Sequence, residues 1–248
     1  MKRRSDAGWK RILAVGCSHG QYIDTHAAEQ ILRFRWGDFN PDVVVHLGDA
    51  VDLAALRTGA KHDPEDPDNV VDINEDIEDG LSFLRDLNPT HYCYGNHEDR
   101  LNKMATHWNS RDKELGRRLK SQLHGGLPKT TILETWDQRS WFKYGDTRFG
   151  HGIFFGRGFL GQSADSFGNC VVAHAHHPGV ATGVRIDHPR ATSVGCLRTI
   201  GTASYAKDRR ATLAWGHGFV WGYFNETKAQ LWLHAESDDT SGEWKLPG

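Results

Sequence analysis

The sequence of 248 residues predicts an α/β protein, on two observations about its pattern. In the first half, short apolar runs closed by Gly alternate with helical stripes; in the second half, β-like runs follow one another between Gly, Asn and Asp. A third observation ties the pattern to chemistry. Five strings, GCSHG, HLGDAVD, YGNHEDR, FGHG and VVAHAHHPG, each end or follow an apolar run and carry Cys17, His19, Asp49, Asn96, His97, His151, His174 and His176.

Residues 11–15 (RILAV), closed by Gly16, read as a buried strand. Asp24 or Thr25 caps the next helix, whose stripe of Ala27, Ala28, Ile31, Leu32 and Phe34 ends before Gly37 and Pro41. Residues 43–47 (VVVHL) form the second strand, 57–69 a polar loop at the mouth of the site, 73–87 a helix, and 91–94 (HYCY) the third strand. Such alternation implies parallel pairing with right-handed crossovers, and ligands gather at the carboxyl ends of strands in such sheets. Residues 99–123 read as one charged helix stopped by Gly125–Pro128, and the runs 131–136, 141–150, 169–173, 180–186, 211–223 and 229–234 as a second, largely antiparallel sheet.

Because the strings span residues 17 to 176, any cut between them would divide the site, so one domain over 1–248 is expected, with 236–248 a loose polar tail. A net charge of -2 gives no general pull toward nucleic acid or anionic lipid. No apolar run approaches the roughly 20 residues that span a bilayer, and the basic start lacks the form of a cleavable signal. A soluble cytoplasmic protein without a membrane partner is the reading. The four cysteines, at 17, 93, 170 and 196, show no Cys-x-x-Cys spacing and argue against a zinc ribbon or a disulfide framework.

Histidine is the commonest side-chain metal ligand, and a carboxylate such as Asp49 can bridge two cations because it has two oxygens. Cys17, His19 and His176 suit one divalent metal; Asn96, His151 and His174 suit the other. In AHAH, an extended backbone would put His174 and His176 on one face, whereas a turn would aim them at different ions. His97 is suited to proton transfer at a metal-bound phosphate, with Glu98 or Asp99 orienting it, and Arg100 offers a planar fork to phosphate oxygens or a helix-start ion pair.

In order, His19, Gly48-Asp49, Gly95-Asn96-His97-Glu98, Gly150-His151 and His174-x-His176 resemble the calcineurin-like metallophosphoesterase family pattern. Two positions depart from it: Cys17 stands for an Asp and Ala173 for a Gly. The resemblance covers about the first 180 residues. It implies a four-layer αββα sandwich of two mixed sheets flanked by helices, with two divalent metals at one edge and His97 over the phosphate rather than on a metal. The expected function is hydrolysis of a phosphodiester or phosphomonoester by in-line attack of a metal-bound hydroxide, with Asp49, His97 and Arg100 in the catalytic set.

A buried thiol is ordinarily a space filler, in which case the first metal has lost a carboxylate; as a thiolate ligand Cys17 favours Zn or Fe over Mg, with Mn the remaining option. The alternatives are a binding module on the same fold with a degenerate metal site, or a structural zinc protein. His46 reads as a packed sheet residue, His177 as a rim residue, His217 as a turn residue, and Asp52 as either a hydrogen-bond partner of a ligand or a helix start. Lys207, Arg209 and Arg210, with Arg117, Arg118 and Lys120, offer contacts to a nucleic-acid substrate, and Trp215 and Trp221 read as core before base-stacking residues.

Overall fold

The computed structural model describes residues 8–57, 72–201, 213–236 and 244–247. Strands β1 (Lys10–Val15), β2 (Val43–His46), β3 (His91–Cys93) and β4 (Thr131–Leu133) run parallel as neighbours, and β10 (His217–Phe224) and β11 (Ala229–Glu236) add antiparallel to the free side of β1. A second sheet holds β5 (Phe142–Tyr144), β6 (Thr147–Phe149), β7 (Cys170–Val172), β8 (Pro178–Thr182) and β9 (Arg190–Val194), in the order β5-β6-β7-β9-β8. Both sheets are mixed.

Strand β1 shows why the layers stack. Its side chains alternate, Leu13 and Val15 facing helix α1 (Thr25–Trp36) through Ala27, Ile31 and Phe34, while Ile12 and Ala14 face the second sheet with Val45, Phe149, Val171 and Val220. Helices α2 (Ile73–Leu87), α3 (Asp99–Ala105) and α4 (Ser110–Gly125) share a further apolar cluster around Tyr92 and Tyr94, and α5 (Phe159–Phe167) covers the outer face of the second sheet through Phe159, Leu160 and Ala164. Helix, sheet, sheet and helix follow as four layers. The sidechain of Asp24 caps α1 by accepting from the Ala27 amide at 2.9 Å, and Asp72 caps α2 in the same way through Asn74 and Glu75.

Four expectations need correction. The second sheet is not largely antiparallel, since β6–β7 and β7–β9 pair in parallel. Its parallel β6–β7 pair needs the crossover α5, whose start and end are glycines, Gly158 and Gly168, without the polar cap that would mark a helix. Runs 131–136, 211–223 and 229–234 feed the first sheet instead, because periodicity marks a strand without naming its partner. The helix expected over 99–123 is two, broken at residues 106–109, where the Asn109 side chain accepts from the Arg111 amide and starts a new helix. In the polar tail, Trp244 is 3% exposed and lies against Phe219, His217 and His234. Most of the 57–69 loop lies outside the described residues. No described helix is long and apolar enough to cross a membrane.

Candidate metal centre

The loops after β1 and β2 are stitched together: the amides of Cys17, His19 and Gly20 donate to the carbonyls of Gly48, Asp49 and Ala50 at 2.8–3.0 Å. From the second sheet, the Ala173 amide donates to His151, and Leu197 donates to Cys17. Every string therefore arrives at one edge of the sandwich. Space there is tight: a Cβ at Gly95 would stand 2.2 Å from the Asp49 carboxylate, and one at Gly48, whose φ is +102°, 2.6 Å from the Gly95 amide. Ala173 is tolerated at its buried position because Gly16 faces it without a side chain.

Cys17, His19, Asp49 and His176 place donor atoms within 4.8 Å of one another, and Asp49, His151 and His174 do the same, so Asp49 belongs to both groups. His174 and His176 follow β7 in a turn, both at positive φ, and aim apart, His174 toward His151 and His176 toward His19. Cys17, His19 and Asp49 also have φ between +52° and +57°. Left-handed backbone at five non-glycine residues is strain that the surrounding hydrogen bonds must hold in place.

Ring tautomers show what the pocket is built for. The Nδ1 of His19 lies 2.7 Å from the Asp52 carboxylate and that of His151 2.9 Å from the Leu47 carbonyl; both partners only accept, so both Nδ1 atoms carry the proton. On the neutral rings the lone pairs on Nε2 then face inward. The Nε2 of His151 meets the Asn96 amide oxygen at 3.1 Å and the Asp49 carboxylate at 3.2 Å. Burial opposes a charge on this ring, but Asp49 outweighs it and raises the ring's pKa, so in the metal-free protein a proton on Nε2 stands where a cation would. That of His19 faces His176 Nε2 at 3.0 Å, and if His176 donates there, its buried Nδ1 is left without a partner. Converging lone pairs of this kind fit divalent cations.

The electrostatics agree. Burial pushes His174 down to about 3 and His176 well below its ordinary value, so both rings are neutral donors. Burial opposes ionisation of Asp49, but His151 and His97 outweigh it and hold the carboxyl well below the usual range. The Cys17 thiol is pushed far up by burial and by Asp49; a cation would reverse that, because a coordinated thiol is deprotonated.

His97 stands beside the two groups, its amide donating to Asp49 at 3.0 Å and its Nδ1 to the Asp52 carbonyl, with Nε2 3.8 Å from Asp49. The expectation that Glu98 or Asp99 orients its ring is corrected. Asp99 pairs with Lys103, while Glu98 accepts from the amides of Asp49, Ala50, Val51 and Gly95 and from the Tyr92 hydroxyl. Arg100 donates through one nitrogen to the carbonyls of Asp52 and Leu53 and lines a cleft next to Asn96.

Asp52 accepts from His19, and sequence reading missed its other partner, the fully buried Arg198, at 2.7 Å. An arginine in the otherwise apolar run VGCLRTI was the available signal. His46 is a buried sheet residue bonded to Ser18, His177 is exposed, and His217, the first residue of β10, bonds the Cys196 carbonyl away from the centre. Trp215 lies against His176 at 4.4 Å between ring centroids, whereas Trp221 stacks on Trp232. Lys120 is tied to Glu134, Arg117 and Arg118 are exposed on α4, and Lys207, Arg209 and Arg210 lie outside the described residues.

Residues 10–218 match the family model for calcineurin-like phosphoesterases. The chain belongs to that family, and is thus a metal-dependent hydrolase acting on phosphoesters. Curated proteins yield no sequence match. Two structures of a cold-active protein tyrosine phosphatase, one of them a point mutant, are similar at 11% identity, with TM-scores of 0.39 and 0.37. Each covers 90% of this chain, which spans 78% and 80% of theirs. Both are too distant to bear on the chemistry.

Proposed function

We propose that the chain hydrolyses a phosphodiester or phosphomonoester at a centre of two divalent metals bridged by Asp49. Support comes chiefly from the sharing of Asp49 between two donor groups whose imidazole nitrogens and carboxylate oxygens face one another. Cys17, His19 and His176 complete one position, and Asn96, His151 and His174 the other. Bound cations at such a centre lower the pKa of a water and neutralise phosphate charge. The chain's own part is to hold and hand over protons: with Nδ1 donating to the Asp52 carbonyl, His97 carries a proton on Nε2 only as the imidazolium. Burial disfavours that state, lowering the pKa to about 4, and the negative charge of a bound phosphate would favour it; from that state His97 passes the Nε2 proton to the leaving oxygen. Asp52, held by Arg198, keeps His19 in the tautomer that presents a lone pair.

Elemental analysis of the purified protein, paired with chelator-sensitive activity on a monoester and a diester, tests the reading. About two equivalents of metal and chelator-sensitive hydrolysis are expected; metal-free protein that turns over normally ends it.

His97→Ala should keep its metal while slowing hydrolysis by about a hundred-fold or more, the usual scale of general acid catalysis. The slowing should shrink when the leaving group is p-nitrophenolate, which departs without a proton. Loss of metal would make His97 a ligand instead.

For Cys17, which stands where the family carries Asp, the expected outcome is a thiolate ligand. Cys17→Ala should then lower metal content by about half, and Cys17→Asp should shift preference from Zn or Fe toward Mn. Identical metal content in the wild type and both variants would leave the thiol as packing.

A further inference from the structure

Next to Asn96 the surface opens into a cleft of about 530 Å³, a size ordinary for small-molecule sites. Leu56 and Met104 give it apolar surface and Trp136 an aromatic one, and among the described residues its charged lining is Arg57, Arg100 and Lys103 against a single carboxylate, Asp112. That carboxylate is engaged by His107 at 3.1 Å, so the described lining is cationic on a chain whose net charge is -2. Trp136 links it to the metal centre. Its ring lies 5.7 Å from that of His174 and 6.4 Å from that of His151, and its Nε1 donates to the Gly152 carbonyl at 2.8 Å, which fixes the indole. Another aromatic, Trp108, is 86% exposed and sits against the His107 ring.

A phosphate held at Asn96 and Asp49 would have one of its substituents in this cleft. The lining calls for a substituent that is planar and aromatic in one part and hydrogen-bonding or anionic in another. An alkyl group would leave the cations unused, and a simple sugar phosphate would leave Trp136, Leu56 and Met104 unused. Building on the phosphoesterase reading above, we infer that the cleft is the nucleoside subsite of an enzyme whose substrate is a nucleoside phosphodiester. Trp136 stacks the base, and Arg100 and Lys103 receive the sugar hydroxyls and any further phosphate. Lys103 is well placed for this, with a side chain 71% exposed and paired only with Asp99 among its described partners.

The test uses the metal-loaded full chain and two esters with the same leaving group, thymidine 5′-(p-nitrophenyl phosphate) and ethyl p-nitrophenyl phosphate. The nucleoside ester should be favoured in kcat/KM by about ten-fold or more, the scale of one base stacked on an aromatic ring. Trp136→Ala and Lys103→Gln should each cut that ratio at least about three-fold, and Trp136→Ala should weaken calorimetric binding of thymidine 5′-monophosphate to the chelator-treated protein by about ten-fold. Lys103→Gln, at an exposed position, keeps the test valid if Trp136→Ala does not fold. If both esters are hydrolysed with a ratio near one, or the ratio survives both substitutions, the nucleoside subsite is overturned and the phosphoesterase stands. Hydrolysis of neither ester would overturn the phosphodiester reading on which the subsite rests, and turnover of p-nitrophenyl phosphate by the same preparation would leave hydrolysis of monoesters standing.

Discussion

Asp49→Asn should lower kcat/KM on a phosphodiester by about a thousand-fold or more and reduce bound metal at both positions. A loss of that scale already follows removal of a single electrostatic contact to a reacting group, and here the group is shared by two donor sets. Asn is the informative replacement because it keeps the volume and one oxygen, so the His97 amide retains its acceptor at 3.0 Å, while the carboxylate charge is gone. Asp49→Ala would remove that acceptor as well and confuse a chemical loss with a displaced His97. The measurement is elemental analysis beside steady-state kinetics. Full metal content with turnover within about five-fold of wild type would remove Asp49 from the bridging position, the one that it alone among the described carboxylates can take between both groups.

Loss of metal from both groups on one substitution would also connect the two halves of the fold. Asp49 follows β2 in the first sheet, whereas His151, His174 and His176 come from the second. Five donors sit in left-handed backbone, held by hydrogen bonds between loops, and the cations would repay that strain when bound. Thermal stability should therefore respond to chelation more than the small number of ligands would suggest.

The residues that meet at the centre were legible in the sequence because each follows a strand that its own apolar run announces. What joins them was not. The Arg198–Asp52 pair links positions 146 residues apart, and nothing local to either residue names the other. Trp136 could be read only as a strand aromatic; its place between His174 and the cleft depends on how β4 and β6 are brought together. Likewise β10 has the alternation of a half-buried strand, Phe219 and Trp221 facing α1 while Val220 and Phe224 face the second sheet, and that alternation would serve equally in either sheet. Local pattern determines which residues reach the edge of the sandwich, and pairing decides what they find there.

Glu98 is where that distinction has its largest expected effect on stability. Next to His97 in sequence, it reads as a partner for the imidazole, yet its carboxylate is fully buried and turned the other way. One oxygen accepts from the Ala50 and Val51 amides and the Tyr92 hydroxyl, the other from the Asp49 and Gly95 amides. Those amides belong to the two loops that carry Asp49 and Asn96, so a single side chain ties the second strand's loop to the third's. Glu98→Ala would leave four amides and a hydroxyl buried without an acceptor, at about 1–3 kcal/mol for each group that water cannot reach. Even if relaxation rescues half of them, the loss is about 4 kcal/mol, or roughly 8 °C or more in Tm for a chain of this size. Glu98→Gln separates charge and acceptor from volume: it fills the same space but turns an NH2 toward one set of donors, so it should destabilise nearly as much as Ala and lower metal content with it. Thermal melting of the metal-free proteins gives the comparison without interference from bound cations. A Gln variant that melts with the wild type would mean that Glu98 fills space and the two loops are held by their backbone contacts alone.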